Sequence, residues 1–225
     1  MNRSVESKVH TPHFLIASGE MGERIRSMDW SRTSMGDPDL WSPNLRAAVS
    51  VMLNAPVGMF VAWGKDFTQL YNDSHLPVMG SKHPGAMGNS MRETFKEVWP
   101  VIGPMFDRVM QGKPVRAPDL MLLLNRHGYF EECYFDFSCS PIFLENGKIG
   151  GVLVTMIETT GKINAINKLE ESKQQLQFAI DAAELATWDY FPLTKTFIAN
   201  KRYEDWFGIN TGKEIVWSWL WQESR

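Results

Sequence analysis

The sequence predicts a mixed α/β fold, α+β in arrangement, in which an antiparallel sheet is interrupted by short helices. Hydrophobic runs of strand length, bounded by Gly, Pro and Asn turns, are the first observation. The second is a helix-patterned stretch that separates an early pair of strands from a later three. Composition supplies the third: 225 residues, 44% hydrophobic and 12% aromatic, with nine Trp, are ample for a packed core and exclude disorder. The length suits one complete domain plus part of another. A net charge of -3 gives no reason to expect a polyanion such as nucleic acid. Two cysteines, Cys133 and Cys139, exclude a disulfide framework and fit a reducing compartment.

Ser42-Pro43 is a helix start, a capping hydroxyl followed by Pro at the first helical position, and Leu45, Val49, Met52 and Leu53 then repeat at helical spacing. Asn54-Ala55-Pro56 stops that helix. A strand over 57–63, a turn at 64–66 and a strand over 67–71 make a hairpin, and Asn72 opens a short helix. Ser90-Met91-Arg92-Glu93 matches a capping box. A further helical segment carries Ile102, Phe106, Val109 and Met110 on one stripe and ends at Gly112. Strands at 120–124, 129–140 and 149–157 complete the set. The uncharged stretch 47–64 is interrupted by Ser50, Asn54 and Pro56, so it is a helix end and a buried strand and not a membrane span. No secretory signal is visible, and a cytoplasmic location is expected.

From 162 to 176 the chain is rich in Lys, Glu, Gln and Asn, as in an exposed connecting helix. Ile166, Leu169, Leu176 and Ile180 fall at heptad-like spacing, compatible with a parallel dimeric coiled coil or with a solvated helix bearing one apolar edge. An internal match at an offset of 128 residues aligns 55–60 with 183–188, Leu70 with Ile198, Asn72 with Asn200, and Gly80 with Gly208. Asn in both copies stands where a strand gives way to a helix, a place for a side chain accepting first-turn amides. The second copy, from about 178, has room for its first hairpin and helix only. Its Trp217–Trp221 tail (WSWLW) is expected to be exposed or to pack on a partner.

Catalytic patterns are absent: no glycine-rich phosphate loop, no H-E-x-x-H and no G-x-S-x-G. The five histidines are scattered, so neither a catalytic nor a metal residue is assigned. Along 131–140 one strand face carries Cys133, Phe135, Phe137 and Cys139 and the other Tyr134, Asp136, Ser138 and Ser140. The two Cys suit a buried apolar role, with redox sensing or metal binding as the alternative. Thirteen Met fill a core or line an adaptable cavity.

The strand order, the Asn after the second strand and the Asn-Gly hairpin resemble a PAS domain. The stretches 19–49, 60–88 and 129–142 are similar to the amino-terminal PAS region of bacterial sensor histidine kinases, and 176–209 to the start of a following PAS domain. The resemblance implies a five-stranded antiparallel sheet with short helices on one face. It divides the chain into a leader with a helix (1–41), a first PAS domain (42–160), a signalling linker helix (161–177) and a partial second PAS domain (178–225). It also implies a sensory input module of a two-component histidine kinase, without a catalytic domain in this chain and dimeric through the linker helix. By position in that fold, candidate pocket residues for an unknown small molecule are Phe60, Tyr71, Asn72, His75, Met79, Phe95, Phe106, Tyr134 and Phe137. No cofactor is evident. Flavin is not expected, because the helical Asn-Cys-Arg run typical of flavin-binding PAS domains is missing, and haem, through His75 or His83, is the alternative together with a stand-alone interaction module.

Overall fold

Helix α1 (Glu20–Ser27) buries Met21 and Ile25, and the 3-10 turn Trp30–Arg32 buries Trp30. The computed structural model describes residues 13–15 and 19–208. The Trp30 ring meets Trp41 edge to face at 5.2 Å, a geometry worth about 1 kcal/mol beyond area burial. These leader residues and Leu15 therefore belong to the same hydrophobic core as the sheet. Helix α2 (Pro43–Asn54) begins as Ser42-Pro43 predicts: the Ser42 hydroxyl accepts the Leu45 N–H at 3.3 Å.

Strands β1 (Gly58–Trp63) and β2 (Thr68–Tyr71) form the predicted hairpin. After α3 (Leu76–Met79), α4 (Met91–Thr94) and α5 (Trp99–Met110) come β3 (Val115–Asn125), β4 (Phe130–Phe143) and β5 (Ile149–Glu158). The five strands form one antiparallel sheet in the order β2-β1-β5-β4-β3, the predicted architecture. Strand β3 starts five residues before the predicted 120, because a register shift between Ala117 and Leu120 takes up Pro118, which has no ladder donor. The capping box is not formed. Ser90 turns its hydroxyl to the Asp66 carbonyl at 2.8 Å and makes no side-chain cap to α4.

Helix α5 lies on the inner face, where Phe106 stands 6.4 Å from both Phe60 and Phe137. Val61 and Leu70, which alternate to the outer face, are also fully buried, α2 packs against β1, β2 and β4, and Ser34 meets the Thr68 hydroxyl at 2.6 Å. Farther along the outer face Met121, Leu123 and Ile157 are about half exposed.

Helix α6 (Thr160–Ala182) follows β5 and buries none of its residues. The chain divides into two units, Met1–Ile163 and Asn164–Arg225. In the second, β6 (Trp188–Phe191) and β7 (Thr196–Ala199) form a hairpin followed by α7 (Lys201–Phe207). The 128-residue repeat holds at atomic level. The pairs Phe60↔Tyr71 and Trp63↔Thr68 recur as Trp188↔Ala199 and Phe191↔Thr196, and positive φ recurs at Phe67 and Lys195 and at Gly80 and Gly208. Met59 N–H donates to Asn72 Oδ1 at 3.0 Å as Thr187 N–H donates to Asn200 Oδ1 at 3.1 Å. The predicted capping role is correct for Asn200, which accepts the Tyr203 N–H, but not for Asn72, which caps no helix and instead ties β1 to Ala55 and Val57. Residues 217–221 lie outside the described residues.

Candidate functional site

Between the inner sheet face and the helices lies an apolar cavity. Phe60, Leu122, Leu124, Phe137 and Met156 wall it from the sheet, and His75, Val78, Met91, Phe95, Val98 and Ile102 from the helical side. Its free volume is about 10 Å³, room for one water. The local sequence explains the two walls: alternation along β3 and β4 turns Leu122, Leu124 and Phe137 to one side, and the helical spacing of Val98, Ile102 and Phe106 turns α5 toward them. The helical wall is fastened by Lys82, whose ammonium donates to the Thr94 carbonyl at 2.7 Å and Glu97 at 2.6 Å and sits 4.8 Å from the Phe95 ring centre.

His75 is the one polar residue in the lining. Its ring lies 5.1 Å from Phe60 and 5.9 Å from Tyr71, and its buried Nδ1 has no hydrogen-bond partner. Burial pulls its pKa down to about 4, so it is neutral at physiological pH.

Of the candidate residues, Phe60, His75, Phe95 and Phe137 line the cavity. Tyr71, Met79 and Phe106 are buried around it without lining it, and Asn72 is consumed by β1 backbone bonds. Tyr134 is not brought to the cavity, because it alternates to the opposite sheet face from Phe135 and Phe137.

A polar cluster joins this cavity wall to the root of α6. Arg126, at 8% exposure, donates to the Pro77 carbonyl at 3.2 Å, to both Glu158 oxygens at 2.7 and 2.9 Å, and to Glu131 at 2.8 Å. The hydrogen bonds from Arg126 hold the Glu158 carboxyl below the ordinary carboxylate range, and the bonds to Glu158 raise Arg126. The Thr160 hydroxyl donates to Glu158 at 2.9 Å and accepts the Tyr134 N–H at 2.9 Å, while Lys162 pairs with Asp119 at 3.6 Å. Sequence reading missed this cluster: Arg126 sits in a turn segment, and its main partner is 32 residues away.

The solved structures this fold resembles include PAS and LOV domains. A LOV protein from Rhodobacter sphaeroides matches at 14% identity and a TM-score of 0.41, over 51% of this chain and 66% of that one. A PAS domain from Colwellia psychrerythraea matches at 15% identity and 0.41, over 52% and 98%. A sensory box sensor histidine kinase from Vibrio cholerae matches at 14% and 0.34, over 51% and 90%. No protein-family model matches the chain. No curated protein matches it by sequence.

As it stands the cavity, about 10 Å³ and closed by Phe60, Phe95 and Phe137, is smaller than a flavin or haem ring system. Both cysteines lie on β4 and not on a helix. His83, the second haem candidate, bonds through Nδ1 to Tyr71 at 3.0 Å and through Nε2 to Glu20 at 2.9 Å. Among the described residues no group of three or more His, Cys, Asp or Glu could hold a metal, and no helix is long and apolar enough to cross a membrane.

Proposed function

We propose that the first unit is a sensory input module in which occupation of the inner cavity moves the 75–78 wall and Arg126 passes that movement to α6. The observation that carries this reading is Arg126 itself, which bonds at once to Pro77, beside the cavity residue Val78, and to Glu158, two residues before α6. The cavity has room for only one water, so any larger occupant must displace its walls. Met91 and Met156 are the linings able to yield, since unbranched thioether chains repack at low cost. The occupant suited to such a wall is a small uncharged apolar molecule, and a shift of the wall biases α6 by population shift. In this reading α6 pairs with a second copy along Ile166, Leu169 and Leu176, all exposed, and the chain is the cytoplasmic input of a two-component histidine kinase. A second reading, an interaction module, is favoured by the half-exposed Met121, Leu123 and Ile157 on the outer sheet face.

Titration of the protein with indole as an apolar probe, followed by methyl and aromatic NMR, tests the reading. Saturable shifts at Val78, Phe95 and Met156 support it. No shift there, with no small molecule retained in native mass spectrometry of the purified protein, would overturn it.

A further inference from the structure

The wall of the cavity has a second polar exit, and it leads to α1. Tyr71 is fully buried beside His75, and burial pushes its pKa up to about 12, so the phenol keeps its proton. The His83 ring bonds through Nδ1 to the Tyr71 hydroxyl at 3.0 Å and through Nε2 to the Glu20 carboxyl at 2.9 Å. The chain of hydrogen bonds thus joins Tyr71, His83 and Glu20, from the sheet interior to the first residue of α1. A second tie starts in the segment next to His75: the Asp73 carboxylate accepts the Met21 N–H at 3.0 Å and caps α1. Gly19 is required there, since a Cβ at its φ of 107° would overlap the Asp73 carboxylate.

We infer that α1 is a latch on the cavity wall, held shut by Asp73 and by the Tyr71–His83–Glu20 chain and released when that wall moves. Helix α1 has eight residues, fewer than the roughly 12 that an isolated helix needs to persist in water. Docking and helix formation are therefore one event for α1, and losing the hydrogen-bond chain loosens both. The groups facing His83 are Tyr71 from β2 and Glu20 from α1, with Arg24 of α1 paired to Glu20 at 3.5 Å. Release on occupation rests on the reading of the cavity as the input. The latch itself is a property of the protein alone.

Amide hydrogen exchange over 20–27 in the full chain tests it, with Y71F, E20A and the double variant. Each single variant is expected to raise exchange over 20–27 about tenfold, a factor matching loss of one hydrogen bond, while exchange over 58–63 stays within about twofold. The double variant is expected to match the larger single effect, because either change breaks the same chain. The control R24A breaks the Glu20–Arg24 pair alone and is expected to stay within about threefold. Unchanged exchange in E20A, multiplying effects in the double variant, an equal rise at 58–63, or an R24A effect as large as that of E20A would overturn the latch. Glu20 is exposed, so E20A remains informative if Y71F unfolds. Failure here would leave the route through Arg126 standing, and failure of indole to enter would leave the latch standing.

Discussion

Acidification should weaken the folded protein through His75, and the size of the effect follows from its burial. Its folded-state value of about 4 lies below the ordinary 6.5, so between those values the unfolded chain binds the proton and the folded protein does not. The contribution is complete above pH 6.5 and is lost as pH falls toward 4. Between pH 7 and pH 5 the linkage amounts to about 2 kcal/mol. His75→Leu removes both the titration and the orphaned Nδ1 while keeping an apolar wall, so the variant should match or exceed the wild type at pH 7. Urea unfolding followed by circular dichroism at pH 7 and pH 5 measures the difference. A wild-type loss about 2 kcal/mol larger than that of His75→Leu is expected. Equal losses in the two proteins would refute the assignment of a buried neutral imidazole to the cavity wall.

Asn72→Ala strands three backbone groups beside a residue that is 1% exposed and should cost about 3 kcal/mol in urea unfolding, whereas Asn200→Ala, at a half-exposed copy of the same motif, should cost about 1 kcal/mol or less, read by exchange at 187–203. Gly80→Ala places a Cβ against the Arg126 carbonyl at a φ of 49°, so a loss of about 2 kcal/mol or more in thermal unfolding is expected, and a neutral result would contradict the close packing of α3 on that turn. Burial pushes the Cys139 thiol up to about 12 and raises Cys133, so neither should react with an aromatic disulfide reagent at pH 8 in the folded state, and both should react in urea.

The elements that could be read from the sequence are those fixed by local chemistry. Ser42-Pro43 starts α2 because the cap and the fixed φ act within one turn, and the β1–β2 hairpin with its copy at 188–199 follows from turn spacing and the Asn that closes each. Side chains with a choice of partner were less legible. Asn72 and Ser90 are cap residues by type, yet a neighbouring strand edge and the Asp66 carbonyl claim them in three dimensions. Phe60, Phe95 and Phe137 could be placed at the cavity because alternation and helical spacing aim them inward, and the same alternation takes Tyr134 away. Arg126 could not be found this way. Its partners Pro77, Glu131 and Glu158 come from three separate segments, and only the closed sheet brings them together. The leader's share of the core was hidden for a similar reason: Met21, Ile25 and Trp30 meet the sheet only after the chain has folded back on β2.

In the proposed function the cavity wall and the root of α6 move together through Arg126. Val78→Phe overfills a cavity with room for one water and imitates an occupant, and amide exchange at Thr159 and Ile163, whose N–H groups donate to the Tyr134 and Thr159 carbonyls, reads the far end of the cluster. Val78→Phe should raise that exchange about fivefold or more in a chain with Arg126, and should add nothing in an Arg126→Met background. Exchange at Thr159 and Ile163 that is the same in Val78→Phe as in the wild type, or that rises equally with and without Arg126, would contradict it.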